Sequence, residues 1–387
     1  MPVQDLETLA RRDYYILPLI CLFTALIMLA AVEIGARYWF VESWEGSCGI
    51  KSALHGYRFA ANCVCFSKAA EGPNVEYAYN ECGYRSRESC GPKPANALRV
   101  ALMGASTSEG FKVSYEHAFA TRAATALSGQ CGRPVEFQNM GVAGYKPIDQ
   151  YWMMDEAIAM RPDLIMLVVT PFELVDITEP NVLANRRNPE VLLQEKSAIK
   201  ATHKPATLVS VVDAAIADSR AVLAAQHLLY QNREKYISLF LMHGDKADYL
   251  RSPLTVNWEK RLEVLDLLFG EMADKARAAG LPMALVVGPQ RIQAALLDPK
   301  FRPPGVDPFM IGKKLAEIAG RHGILYLDSL EAFAADPQPE QLFYPVDGHM
   351  TDAGHALLAD AIVRRLLGAD APPFNQCRSM PIKESRL

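Results

Sequence analysis

Short continuous apolar runs that stop abruptly in small or turn-forming residues constrain this chain more than any other feature. Val100, Ala101, Leu102 and Met103 form one such run, and it ends at once in GASTSEG, Gly104–Gly110. LIMLVV, residues 164–169, is another, closed by Thr170 and Pro171. Apolar runs without alternation fit strands buried on both faces, as in a parallel sheet sandwiched between helices. The rhythm continues along the chain. A helix is expected near 118–128, a strand at 135–138, and a helix over 151–160 that stops at Arg161-Pro162-Asp163. After a break, helices are expected at 258–279, 311–321 and 352–367, with strands at 282–287 and 324–327. Strands alternating with helices of this length predict a parallel sheet covered on both faces. Residues 180–257 interrupt the pattern with helical stretches near 204–228 and 231–242 and no clear strand, as an inserted helical cap would.

The amino-terminal stretch obeys different physics. Ile16 to Val32 is a run of seventeen residues without a charge, and counting past Glu33 through Trp39 gives 24 residues. That length suits a tilted membrane helix with Tyr38, Trp39 and Phe40 as an aromatic belt. A cleaved signal peptide has a shorter apolar core, about 7–15 residues, and a small-residue cleavage site. An uncleaved anchor is therefore expected at 16–39, with 1–15 as a cytoplasmic tail. Arg11 and Arg12 face Arg37 and Lys51 across the span, so charge alone leaves orientation nearly tied. The cysteines favour one side. Cys48, Cys63, Cys65, Cys82 and Cys90 crowd the residues after the span, with Cys131 and Cys377 farther on. Such density suggests disulfides in an oxidising compartment, which places the bulk of the chain in the periplasm or outside the cell. Seven cysteines outside the span is an odd number, so at least one stays free or pairs between chains. Residues 40–95 are read as a cysteine-stapled juxtamembrane segment of little periodicity, and 369–387 as a loose tail.

A net charge of −4 and the lack of a basic run give no case for nucleic acid. Cys63-Val64-Cys65 without a matching second pair is a weak zinc signal. Glu173 and Asp176 follow a strand end, but no second cluster joins them as metal ligands. Neither a metal nor another cofactor is called for.

The chemistry gathers where the apolar runs end. A strand feeding a small-residue turn sets a hydroxyl at the carboxyl end of a sheet, where open α/β folds bind ligands. Attack on an ester needs a nucleophile, a base and donors for the tetrahedral oxyanion. Ser106 is the candidate nucleophile, His349 the base and Asp347 the carboxylate that orients the imidazole. The backbone N–H groups of Ser106 and Gly144 are the candidate oxyanion donors. The alternative for the same turn is a strand-to-helix junction whose serines cap the helix. Ser108 is read as a turn residue and His355 as part of the last helix's apolar face.

The ordered set resembles the SGNH/GDSL hydrolases. GASTSEG resembles their first block, with Ser106 at its nucleophile. NMGVAG, Asn139–Gly144, resembles the second, whose second glycine supplies an oxyanion N–H. Pro162–Glu173 lies where the third should be, and DGHMTDAGH, Asp347–His355, resembles the last. The likeness covers roughly 96–178 and 258–368 and implies a three-layer α/β/α, flavodoxin-like domain over 96–368. Two positions depart from it. Ala105 replaces the aspartate after the first glycine, and Phe172 stands where the third block offers an asparagine amide. Phenylalanine cannot donate, so Thr170 or a residue of the cap is the substitute to look for. The one-residue gap between Asp347 and His349, with an anchor, is similar to alginate O-acetyltransferase-type proteins. The resemblance thus implies a membrane-anchored serine esterase acting on acetyl or short acyl esters of a carbohydrate or lipid. Its alternatives are an O-acetyltransferase working with a multispanning membrane acyl-transfer partner, and a catalytically silent binding module.

Overall fold

The computed structural model describes residues 12–52, 55–175, 177, 216–368 and 373–379, in two units. The smaller joins residues 1–41 to 204–229. Its main element is the helix Asp13–Trp39, 27 residues whose most apolar window has a mean hydropathy of 2.5 and holds no buried residue. Glu33, which with Arg37 is one of two charges inside the expected span, accepts from the Ser219 hydroxyl (2.8 Å) and the N–H groups of Arg220 (3.1 Å) and Ala221 (2.8 Å). It thereby satisfies orphan donors at the start of the helix Arg220–Tyr230. Arg37 bridges Glu33 (2.8 Å) and Asp218 (3.1 Å).

Among the described residues the larger unit has ten strands. β1 (Ser43–Glu45), β4 (Val64–Lys68) and β5 (Asn74–Ala78) form an antiparallel sheet in the order β1-β4-β5, and β2 (Gly49–Ser52) pairs with β3 (Gly56–Phe59). β6 (Leu98–Gly104), β7 (Val135–Asn139), β8 (Leu164–Val169), β9 (Met283–Val287) and β10 (Leu325–Asp328) make a parallel five-stranded sheet ordered β10-β9-β8-β6-β7. That is the flavodoxin-like order, with its switch point between β6 and β8.

Alternate residues of these strands feed two separate cores, as the pleat requires. Ala101, Met103, Ile165, Leu167, Leu285 and Val287 pack under the helices Val256–Ala278 and Met310–His322. Val100, Leu102, Met166, Val168, Ala284 and Val286 pack under Phe119–Cys131 and Asp352–Gly368. The expected three-layer sandwich is therefore present, its elements close to the expected boundaries.

Three expectations change. Residues 40–95 are stapled by Cys48–Cys63 and Cys82–Cys90 but hold more regular structure than expected: they carry β1 to β5 and a small core of Val75, Tyr77 and Tyr79 beside Cys48 and Cys65. Their period-two burial (Val75 and Tyr77 in, Asn74 and Glu76 out) is too short to read through the intervening cysteines and turns. The tail is not loose where it is described. Phe374 and Cys377 are buried, and Cys377 is bonded to Cys131. The other disulfides are Cys48–Cys63 and Cys82–Cys90, which leaves Cys65 as the buried free thiol. Of the expected insertion at 180–257, residues 180–215 lie outside the described residues. Its helix Arg233–Leu241 sends Tyr236 and Ile237 into the sheet's own core rather than forming a detached cap.

Candidate active site

β6 delivers Ser106 to the carboxyl edge of the sheet at the switch point, as the first residue of the short helix Ser106–Glu109. Two glycines let that turn sit tightly. A Cβ on Gly104 would lie 1.9 Å from the Ser108 hydroxyl oxygen, and one on Gly141 would lie 2.5 Å from the Glu109 nitrogen. Asn139, at the end of β7, donates to the Ser108 carbonyl at 2.6 Å while its Oδ1 accepts from the Gly141 N–H at 3.0 Å. Ser108 itself is fully buried against these glycines. A buried hydroxyl cannot meet substrate, which leaves Ser106 as the half-exposed serine of the turn.

The loop before the last helix brings the other two groups. His349 Nε2 lies 2.8 Å from Ser106 Oγ, and its Nδ1 lies 2.6 Å from Asp347 Oδ1. Gly348 turns the chain between them at φ +80°, a conformation costly for other residues. The same Asp347 oxygen accepts the His349 backbone N–H at 3.2 Å, and Lys112 Nζ sits 2.7 Å from Oδ2. Burial pushes the Asp347 carboxyl up, but the bonds and charges of His349 and Lys112 outweigh it and hold it well below the ordinary carboxylate range. With Asp347 ionised, Nδ1 is the donor and Nε2 the acceptor, so the ring is set to take the Ser106 proton. The Phe111 ring meets the imidazole edge-on, centroids 5.0 Å apart.

Ser106 heads its helix, so its N–H has no intrahelical acceptor. Gly144 follows the β7 turn at φ +82°. Its neighbour Ala143 is held from both sides: the N–H donates to Glu109 Oε2 at 2.8 Å, and the carbonyl accepts from the Tyr57 hydroxyl. Burial raises the Glu109 carboxyl against the charge of Arg85 and the hydrogen bonds from Ala143 and Tyr79. No third oxyanion donor emerges from the expected block. Phe172 is 73% exposed, and the Thr170 hydroxyl donates to Glu173 Oε1 at 3.0 Å. Asp176 lies outside the described residues. Among those described, no group of three or more His, Cys, Asp or Glu is arranged to hold a metal. His355 is buried, stacks on Phe119 and accepts its N–H at 3.2 Å; burial and nearby Arg85 drive its pKa down to about 3.

The structure thus brings Ser106, His349 and Asp347 into one hydrogen-bonded line. Several supporting residues carry no sequence signal, because they come from the cysteine-rich segment. Glu71 accepts the N–H groups of Val346 (3.1 Å) and Asp347 (2.8 Å). Arg85 donates to the carbonyls of Glu109 (2.7 Å), Gly110 (2.6 Å) and Val113 (2.8 Å), and lies over the Tyr77 ring. Asn80 accepts the N–H groups of Cys82 and Tyr84, each at 3.0 Å, and so turns Arg85 toward the site. Charged residues spaced irregularly among cysteines give no periodic cue to such roles.

Fold and site together define a flavodoxin-like α/β sandwich with a Ser–His–Asp line at its switch point. No protein-family model and no curated protein matches the chain. Among solved structures, it is similar to an acetyl xylan esterase from Geobacillus stearothermophilus: 14% identity, TM-score 0.37, covering 71% of this chain and 95% of that one. It is similar also to a lipase/acylhydrolase from Enterococcus faecalis, at 14% identity and TM-score 0.36, covering 70% and 96%. A member of the lipolytic G-D-S-L family from Veillonella parvula matches at 11% identity and TM-score 0.35, covering 69% and 97%. Likenesses this distant carry no chemistry across.

Proposed function

We propose that this chain is a membrane-anchored serine esterase of the SGNH/GDSL kind, removing acetyl or other short acyl groups from a carbohydrate or lipid outside the cytoplasm. The observation that carries it is the 2.8 Å contact between Ser106 Oγ and His349 Nε2, with Asp347 2.6 Å behind the ring. As Oγ attacks the ester carbonyl, Nε2 takes its proton, and the imidazolium that forms is stabilised by Asp347. The tetrahedral oxyanion is met by the N–H groups of Ser106 and Gly144. Collapse leaves an acyl-Ser106 and returns the proton from His349 to the departing alcohol. Water activated by the same ring then releases the acid. The apolar helix Asp13–Trp39 and the disulfides support an anchored domain in an oxidising compartment.

A second reading, acyl transfer, is favoured by the one-residue Asp347–His349 gap. It shares every step up to the acyl-serine, after which a sugar hydroxyl replaces water. The test is p-nitrophenyl acetate hydrolysis by membranes carrying the full chain. Nitrophenol release is expected in the membrane fraction and should fall about 10³-fold or more in Ser106→Ala. Release that survives Ser106→Ala, or none from well-folded protein, would favour the silent binding module, for which Phe172 speaks. Acetylated product on adding oligosaccharide would favour transfer.

A further inference from the structure

We infer that Lys112 is a positioning residue for the reacting pair: its buried ammonium pins the outer oxygen of Asp347, so that the inner oxygen holds His349 toward Ser106. The inference rests on the esterase reading above. Asp347 lies on a loop, and its side chain keeps 27% of its surface exposed. A carboxylate so placed is free to swing toward water unless both oxygens are held. Oδ1 is taken by the His349 ring and backbone, and Oδ2 by Lys112 at 2.7 Å.

The chain accommodates Lys112 in an unusual way. Its side chain is 5% exposed, and lysine is almost never buried unless paired. Its ammonium lies 5.6 Å from the Phe111 ring centre and 5.4 Å from that of Tyr344. Its backbone has φ +66°, left-handed for a residue with a side chain. The Tyr77 hydroxyl accepts its N–H at 2.9 Å, and Arg85 holds the carbonyls of Gly110 and Val113 on either side. Strained backbone at a buried charge, over-determined by its surroundings, is the pattern of a functional constraint.

A simple structural staple and a positioning charge differ in one respect. A cation on the far oxygen of Asp347 weakens that carboxylate's hold on an imidazolium and so keeps His349 available as a base. The other titratable groups around the pair are Glu71, beneath the Val346–Asp347 backbone, Glu109, in the nucleophile turn, and Tyr344, on the same loop. His355 on the last helix, Lys68 on β4, Tyr77 on β5, Arg85 beside the Ser106 turn and Asp352 at the start of the last helix also face it. All of these stay in place when Lys112 alone is changed.

The experiment is the pH profile of kcat/KM for p-nitrophenyl acetate, and the rate of Ser106 labelling by a fluorophosphonate, in the wild type, Lys112→Met, Lys112→Gln and Lys112→Arg. The neutral variants are expected to lose about tenfold or more in kcat and to move the acid limb upward by about half a pH unit or more, while Lys112→Arg leaves the limb where it was. Folded neutral variants with an unmoved acid limb would overturn the inference, whatever their kcat. So would failure of both neutral variants to fold while Lys112→Arg folds, since Lys112 would then act on stability alone. A wild type that neither labels nor hydrolyses sinks the esterase reading, and this inference with it. A reactive wild type with indifferent variants sinks only the inference.

Discussion

Glu173 is a carboxyl sealed beneath the carboxyl end of β8, with Thr170 as its bonded neighbour. Burial is the largest influence on it and pushes it up to about 8, against hydrogen bonds from Thr170 and Gln150. The folded chain therefore holds a proton that the unfolded chain releases from about pH 4.3 upward. Between those values folding takes up a proton, so stability falls as pH rises through the window. Glu173→Gln keeps the shape without the ionisation. Its melting temperature is expected to match the wild type near pH 4 and to exceed it by a few degrees at pH 8. Thermal melts at the two pH values check this, and an equal difference at both would contradict the assignment. The same residue shows a limit of reading from sequence. In the sequence Glu173 reads as a strand-end acid that no second cluster joins as a metal ligand, and only its burial reveals a carboxyl pushed toward its neutral form.

The turn that carries Ser106 packs as a unit because three elements crowd it. Gly104 ends β6, Gly141 and Asn139 come from the β7 turn, and Arg85 reaches in from the cysteine-rich segment. A methyl group at Gly141 would stand 2.5 Å from the Glu109 nitrogen and 2.7 Å from Ser108 Cβ, and backbone cannot yield as a flexible side chain would. Gly141→Ala should displace Ser106 from His349, with kcat/KM for p-nitrophenyl acetate falling about 10²-fold. A folded Gly141→Ala protein with unchanged rate would show the turn to be looser than this packing implies. Here the sequence was informative about both partners. The NMGVAG and GASTSEG turns were each legible as turns after strands. Their contact was not, since β6 and β7 are linked by a long crossover and meet only through sheet pairing.

Across the whole molecule, the bond between Cys131 and Cys377 closes a loop of 246 residues. It ties the end of the helix Phe119–Cys131 to the turn holding buried Phe374, at the amino-terminal edge of the parallel sheet and opposite the site. Cross-linking so long a loop restricts the unfolded chain strongly, so Cys377→Ser should cost about 2–5 kcal/mol. The lowered urea midpoint measures that loss, while kcat at 25 °C stays near the wild-type value because the sheet edge that carries Ser106 and His349 is untouched. A variant with full stability would mean that the packing of Phe374 alone holds the terminus.

Apolar period and turn chemistry are local properties, so the runs 100–103, 135–138, 164–169, 282–287 and 324–327 announced a covered parallel sheet. The same locality exposed the amino-terminal apolar helix and the candidates Ser106, Asp347, His349 and Gly144. Distance through space is a different kind of quantity. Only the assembled chain could decide that a hydroxyl and an imidazole 243 positions apart lie 2.8 Å from one another, that Cys131 finds Cys377, and that Glu71, Tyr77 and Arg85 brace the site. Those pairings arise from strand order and from the packing of one small sheet on a larger domain, and no residue's neighbours along the chain encode them.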